Sequence, residues 1–139
     1  MSVLVDTPIW SLALRRPAER LSPDEHRHVA EWIEPVREHA VLLIGPVRQE
    51  VLSGIRDTRT FERLRGALRA FPDEPLSLED FEDAARASNT CRSAGVAGST
   101  VDYLLCGVAF RRDTAIYTTD LDFTAYARHL PLRLHHPGQ

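Results

Sequence analysis

Three short runs in this chain of 139 residues are apolar almost from end to end: Val3-Leu4-Val5, Ala40 through Ile44, and the middle of Thr114-Ala115-Ile116-Tyr117-Thr118. A strand with one wet face alternates apolar and polar side chains, so runs without alternation belong to a sheet covered on both faces. Between these runs lie segments with helical spacing. That order, strand then helix repeatedly, predicts an α/β sandwich around a parallel sheet. Leu76 and the stretch from Leu130 to Leu134 are weaker strand candidates.

The helical segments carry their own start signals. Pro8 stands at a first-turn position after Asp6-Thr7, where its missing N–H costs nothing. Ser22-Pro23-Asp24-Glu25 is a capping box that opens a helix over 22–38, with Val29, Trp32, Ile33 and Val36 on one side and Pro35 obscuring its end. Val47, Val51 and Ile55 mark a helix after Gly45-Pro46, and another spans Thr58 to Phe71. Ser77-Leu78-Glu79-Asp80 starts a helix of mixed polarity, and Gly95 and Gly98 separate it from an apolar helix over Ser99–Phe110. No repeat or linker interrupts the chain, which reads as one domain over residues 1–139.

Composition removes several chemistries. All 17 basic residues are arginine, so there is no phosphate-loop or Schiff-base lysine. Arginine suits bidentate contact with phosphate or carboxylate. A net charge of −3 disfavours nucleic-acid binding unless the acids are concentrated where a cation neutralises them. Cys91 and Cys106 make no zinc spacing and suit a reducing cytoplasm as small core residues. No membrane span and no leader are expected from the apolar runs.

In open α/β sheets, ligands bind beyond the carboxyl ends of the strands. Asp6 follows the first run directly, and Asp120 and Asp122 follow the 114–118 run. Glu50 lies two turns into the helix after the second run, on the stripe of Val47 and Gly54. Asp102 lies in the first turn of the 99–110 helix, on the stripe of Leu105, Cys106 and Ala109. Both helical acids are therefore expected to face apolar surroundings, which is costly for a lone carboxylate. Gathered carboxylates raise one another's pKa, and a hard divalent ion such as Mg²⁺ or Mn²⁺ reverses that cost. Such an ion orients and acidifies water and stabilises charge on a phosphodiester, so no side-chain nucleophile is needed.

Each acid also has a plainer reading. Asp6 could cap the helix that follows it, and Asp102 stands at capping-box spacing from Ser99. Asp120 and Asp122 could shape a turn, and Glu50 could be a surface residue.

Taken in order, four segments resemble the PIN-domain family, and closely its VapC-type toxin branch. They are Val5-Asp6-Thr7 with Trp10, Gln49 through Gly54, Asp102 through Ala109, and Thr118-Thr119-Asp120-Leu121-Asp122-Phe123. The resemblance implies a three-layer α/β/α sandwich with a central five-stranded parallel sheet. It implies an Mg²⁺- or Mn²⁺-dependent endoribonuclease, the toxin of a toxin–antitoxin pair, working in the cytoplasm as a homodimer held by a small antitoxin. Asp6, Glu50, Asp102 and Asp120 match the metal-binding acids, with Asp122 as a secondary ligand and Thr7 and Thr119 as supporting hydroxyls. Cys106-Gly107 replaces the Ala-Ala-like pair common in the family, a place where small residues fit either way.

Other features are weaker. Arg56, Arg59 and Arg63 share a stripe if their helix is continuous, and could meet RNA phosphates or an acidic antitoxin segment; the alternative is a solvated face. Arg111-Arg112 is expected just past a helix end. His26 and His28 are expected on an exposed helix and His135-His136 in a frayed tail. Trp10 and Trp32 are expected in the core or a dimer interface. A dehalogenase-like phosphatase wants Asp-x-Asp after the first strand, and position 8 is proline. A non-catalytic PIN-like interaction module, with a structural cation or none, is the alternative of a different class.

Overall fold

The computed structural model describes residues 2–15, 20–37 and 40–136, with the side chains of 33–37 outside that description. In chain order the elements are β1 (Val3–Val5), α1 (Thr7–Trp10), α2 (Pro23–Arg37), β2 (Val41–Leu42), α3 (Gly45–Leu52), α4 (Thr58–Leu68), α5 (Leu78–Ser93), α6 (Thr100–Arg112), β3 (Ala115–Tyr117) and α7 (Asp122–Ala127). The coil of α1 widens into a π-helical turn over Ser11–Arg15.

The sheet is parallel in the order β2-β1-β3, with Val3 opposite both Val41 and Ala115. Three strands are formed among the described residues, not five. The two weaker candidates contribute single bridges instead: Asp73 pairs with Leu43 beyond β2, and Leu134 with Ile116 beyond β3. Leu76 itself is not the pairing residue. Pro72 and Pro75 flank Asp73, and Pro131 precedes Leu134, so few consecutive N–H donors are available to extend either edge.

β1 is buried along its whole length, as its unbroken apolar run requires. Beneath it Trp10 is fully buried and its indole N–H donates to the Val5 carbonyl at 3.1 Å. Trp32 meets the Trp10 ring edge-on, with centroids 5.6 Å apart, which places both tryptophans in the core. Ile33 and Val36 lie outside the described side chains. The α2 capping box forms as expected, Ser22 N–H to Glu25 at 2.9 Å and Glu25 N–H to Ser22 Oγ at 3.1 Å.

α5 and α6 pack closely because Gly107 has no side chain: a Cβ there would lie 2.9 Å from the Ala84 amide nitrogen and 3.1 Å from the Asp80 carbonyl oxygen. Glycine therefore fits where even alanine would push the helices apart. At the same junction Asp80 completes the Ser77 capping box, fully buried, and takes two hydrogen bonds from Arg112 at 2.8 and 3.0 Å. That guanidinium holds the Asp80 carboxyl down at about 2. Arg112 also reaches Glu74 and the Pro75 carbonyl, so Arg111 and Arg112 end α6 itself and do not trail beyond it.

Two histidine expectations change. His28 is half-buried on α2, with Nδ1 3.2 Å from the Tyr117 hydroxyl. His135 pairs its N–H with the Ile116 carbonyl and its ring with Glu31 at 3.0 Å, so the chain at this point is sheet edge and not a loose tail. His26 is exposed, as expected.

Candidate active site

Parallel pairing of β1 with β3 carries the site. The register that sets Val5 against Tyr117 runs one residue further, so Asp6 lies beside Thr118. The Asp6 N–H donates to the Tyr117 carbonyl at 2.9 Å, and the Thr118 hydroxyl donates to Asp6 Oδ2 at 2.7 Å. Asp6 Oδ1 accepts the Thr7 N–H at 2.8 Å, so the residue does cap α1, with one oxygen. Cap and site residue are compatible readings of one carboxylate.

Asp6 is only 4% exposed. Burial pushes its carboxyl up from the usual range to about 6, against the pull of the Thr118 and Thr7 hydrogen bonds and with help from the nearby charges of Asp102 and Glu50.

Asp120 and Asp122 follow β3 in a tight turn. Asp120 N–H donates to Thr118 Oγ1 at 3.0 Å, and Asp122 N–H to Asp120 Oδ1 at 2.9 Å. Thr118 thus links Asp6 to Asp120 through one hydroxyl. Of the two hydroxyls expected to support the site, Thr7 bonds to Glu50, and Thr119 is exposed and lines a neighbouring groove. Period-2 alternation at the end of β3, continued from the buried Ile116, would have pointed Thr118 inward.

Asp102 projects from the first turn of α6. Its N–H is taken by Ser99 Oγ at 3.1 Å, so Ser99 caps the helix. The Asp102 carboxylate points elsewhere: Oδ2 accepts the Tyr126 hydroxyl of α7 at 2.7 Å. Carboxylate oxygens of Asp102, Asp120 and Asp122 lie within 4.8 Å of one another, close enough for one cation to touch all three. Asp102 and Asp120 are half-buried and Asp122 is exposed. Three hard oxygens beside an acid whose ionisation is suppressed by burial form a donor set that fits Mg²⁺ or Mn²⁺.

Glu50 is exposed on α3 and does not face apolar surroundings; the buried stripe of that helix is Val47 and Val51. It joins the site through Thr7, whose hydroxyl donates to Glu50 Oε1 at 2.9 Å. Asp6 is thus linked to Asp120 through Thr118, and Glu50 to its neighbour Thr7, while the oxygens gathered within 4.8 Å are those of Asp102, Asp120 and Asp122.

The arginine stripe loses its first member, while Arg59 and Arg63 stay one turn apart on α4. Asp57 caps α4 by accepting the Thr60 N–H, which leaves Arg56 before the helix. Arg63 donates to the Leu14 carbonyl at 3.1 Å, and Arg56 and Arg59 are exposed. Beside Thr119 an open groove of about 640 Å³ runs past Pro8, Ser11, Arg15 and His28. Cys106 is buried under the acids, and burial together with Cys91, Asp102 and Asp6 pushes its thiol far up, so it stays protonated and is no nucleophile.

The PIN domain family model matches residues 3–129. A search of curated proteins finds no match. Among solved structures, FitAcB from Neisseria gonorrhoeae is similar with a TM-score of 0.71 and 19% identity, covering 97% of each chain. VapBC2 from Rickettsia felis, bound to a DNA fragment from its promoter, is similar with a TM-score of 0.76 and 14% identity over 97% of this chain and 98% of that one. VapBC-1 from nontypeable Haemophilus influenzae has a TM-score of 0.65 and 13% identity, with both chains fully covered.

Proposed function

Because this chain belongs to the PIN-domain family, we propose that it is an endoribonuclease dependent on Mg²⁺ or Mn²⁺, the toxin of a toxin–antitoxin pair. The observation that carries the reading is the triplet of Asp102, Asp120 and Asp122, with oxygens within 4.8 Å, beside the buried Asp6. The likeness in fold to VapBC and FitAB proteins supports a small antitoxin as partner. Homodimer formation and a cytoplasmic site of action belong to the same proposal, as does a single domain over residues 1–139. No helix among the described residues is long and apolar enough to cross a membrane.

The residues divide the work. Asp102, Asp120 and Asp122 hold the cation, with Asp6 and Glu50 completing its surroundings. A bound divalent ion supplies charge neutralisation for the phosphodiester and makes a neighbouring water a better nucleophile. Thr118 fixes Asp6 against Asp120, and Thr7 holds Glu50 at the rim. The acids would otherwise repel a phosphate, so the phosphodiester needs the cation's charge beside it. Arg15 is the one arginine among the residues lining the groove beside Thr119, which Asp24 and Glu25 also line.

The test is cleavage of total small RNA by purified protein with Mg²⁺, Mn²⁺ or chelator, beside an Asp6→Asn variant of matched folded content. Discrete fragments that require metal and vanish in the variant are expected. Equal cleavage by both proteins would overturn the assignment. Calorimetry showing no binding of either ion would leave a non-catalytic interaction module as the better reading.

A further inference from the structure

A buried phenol finds a partner for its hydroxyl, and most side-chain hydrogen bonds go to backbone or water. Tyr103 uses the backbone, donating to the Val96 carbonyl at 3.4 Å. Tyr126 does not. It is fully buried on α7, yet its hydroxyl crosses to α6 and donates to Asp102 Oδ2 at 2.7 Å. Its ring is gripped from two sides, with Phe123 edge-on at 5.1 Å and Tyr103 tilted at 5.2 Å between centroids.

The chain also makes room for this hydroxyl. Gly98, in the loop before α6, faces the same spot: a Cβ there would lie 2.8 Å from Tyr126 Cζ, 2.9 Å from Tyr103 Cζ and closer still to the Tyr126 hydroxyl. Two separate features therefore serve one contact, the donor on α7 and the missing side chain in the loop. Asp102 shares its oxygen cluster with Asp120 and Asp122, which stand on the segment that leads into Tyr126.

Resting on the metal-site reading above, we propose that Tyr126 is a positioning residue that sets which cations the acids accept. A hydroxyl bonded to Oδ2 engages one oxygen of Asp102 and disfavours bidentate use of that carboxylate. Small octahedral ions take one oxygen per carboxylate at short range, whereas Ca²⁺ takes six to eight ligands and accepts bidentate carboxylates readily. The contact thus favours Mg²⁺ or Mn²⁺ over Ca²⁺. Removing it frees Asp102 to rotate, weakens the small ion and spares the large one.

The experiment is calorimetric titration with Mn²⁺ and, separately, Ca²⁺ of the wild-type chain, Tyr126→Phe and Gly98→Ala. Tyr126→Phe keeps the ring packing. Gly98→Ala removes no polar group and displaces the hydroxyl by crowding, so either variant serves if the other fails to fold. The expected result is a Kd for Mn²⁺ raised about 10-fold, the low end of what second-sphere partners contribute, with the Kd for Ca²⁺ changed by less than about 3-fold. Equal weakening of both ions would show a general loss of site structure and overturn the proposal, as would no change for either. A wild-type chain that binds neither ion would bring down the metal reading itself, and that failure is visible before any variant is titrated.

Discussion

Replacing Asp6 by asparagine is expected to stabilise the metal-free protein while abolishing its activity. The Asp6 carboxyl titrates at about 6 in the fold against an ordinary 3.8. A shift of about two pH units corresponds to roughly 3 kcal/mol of preference for the neutral form. The sign follows from proton binding. Between pH 4 and pH 6 the folded state holds more protons than the unfolded one, so stability falls as pH rises through this window. Above pH 6 the wild type carries the whole cost of a buried charge. Asparagine keeps the shape and removes the charge: Oδ1 can accept from the Thr7 N–H and Nδ2 can donate to Thr118 Oγ1. The Thr118 hydroxyl then loses its acceptor, which costs about 1 kcal/mol. The net gain at pH 7.5 in chelator is about 2 kcal/mol, or roughly 6–8 °C in Tm for a chain of this size. At pH 4, where the wild-type carboxyl is also neutral, the gain disappears. Mn²⁺ at 100 times its wild-type Kd restores the wild type by about 2.7 kcal/mol and stabilises the variant, which keeps Asp102, Asp120 and Asp122 but lacks the Asp6 charge, by less. Thermal unfolding in chelator across pH 4–7.5, then with Mn²⁺, measures all three arms. A variant less stable than wild type at pH 7.5, or a gap that does not change with pH, would refute the reasoning.

Thr118→Val removes the hydroxyl that joins Asp6 to Asp120; RNA cleavage should fall by about 10- to 100-fold, while Thr119→Val, at an exposed position, leaves it within about 2-fold. Glu50→Gln changes an exposed side chain and should alter stability by less than about 0.5 kcal/mol in urea unfolding. The same variant should lower cleavage about 10-fold or more, since it removes one of the acids proposed to surround the cation. Arg112→Met leaves the buried Asp80 with only the half-exposed Arg111, 3.5 Å away, as its cation and should cost about 3 kcal/mol in the same unfolding assay. The variant should also soften the loss of stability at low pH, because Asp80, held near 2 by Arg112, contributes stability that is present above the ordinary carboxylate pKa and lost as pH falls towards 2.

What could be read from the sequence is what local rules govern. Unbroken apolar runs placed β1, β2 and β3 within a residue or two, and the capping patterns at Ser22, Ser77 and Ser99 marked three helix starts. Sheet width could not be read so well. The outer positions at Asp73 and Leu134 are single bridges, and prolines nearby decide that as much as apolar content does. The arginine stripe lost Arg56 for a local reason that the sequence did contain: Asp57 stands three residues before Thr60 and starts the helix after Arg56. Gly107 failed as a neutral position because backbone proximity between α5 and α6 is a tertiary fact.

The site shows the same division more sharply. That Asp6, Asp120 and Asp122 follow strands fixes them at one edge of a parallel sheet before any coordinate is known. Which oxygens meet is set by register and by partners on other elements. The β1–β3 pairing puts Thr118, and not Thr119, against Asp6. Asp102 is freed for the site because Ser99 alone caps α6 and Tyr126 draws the carboxylate across. Capping-box spacing at Ser99 and Asp102 therefore misleads, whereas the equal spacing at Ser77 and Asp80 does not. The difference is the partner waiting for each aspartate: Arg112 clamps Asp80 while Asp80 still closes its box, and a tyrosine hydroxyl turns Asp102 away from its cap and towards two further acids. A carboxylate in a first helical turn is thus assigned to structure or to chemistry by what faces it across the helix interface, and here the two outcomes stand at the starts of adjacent, closely packed helices.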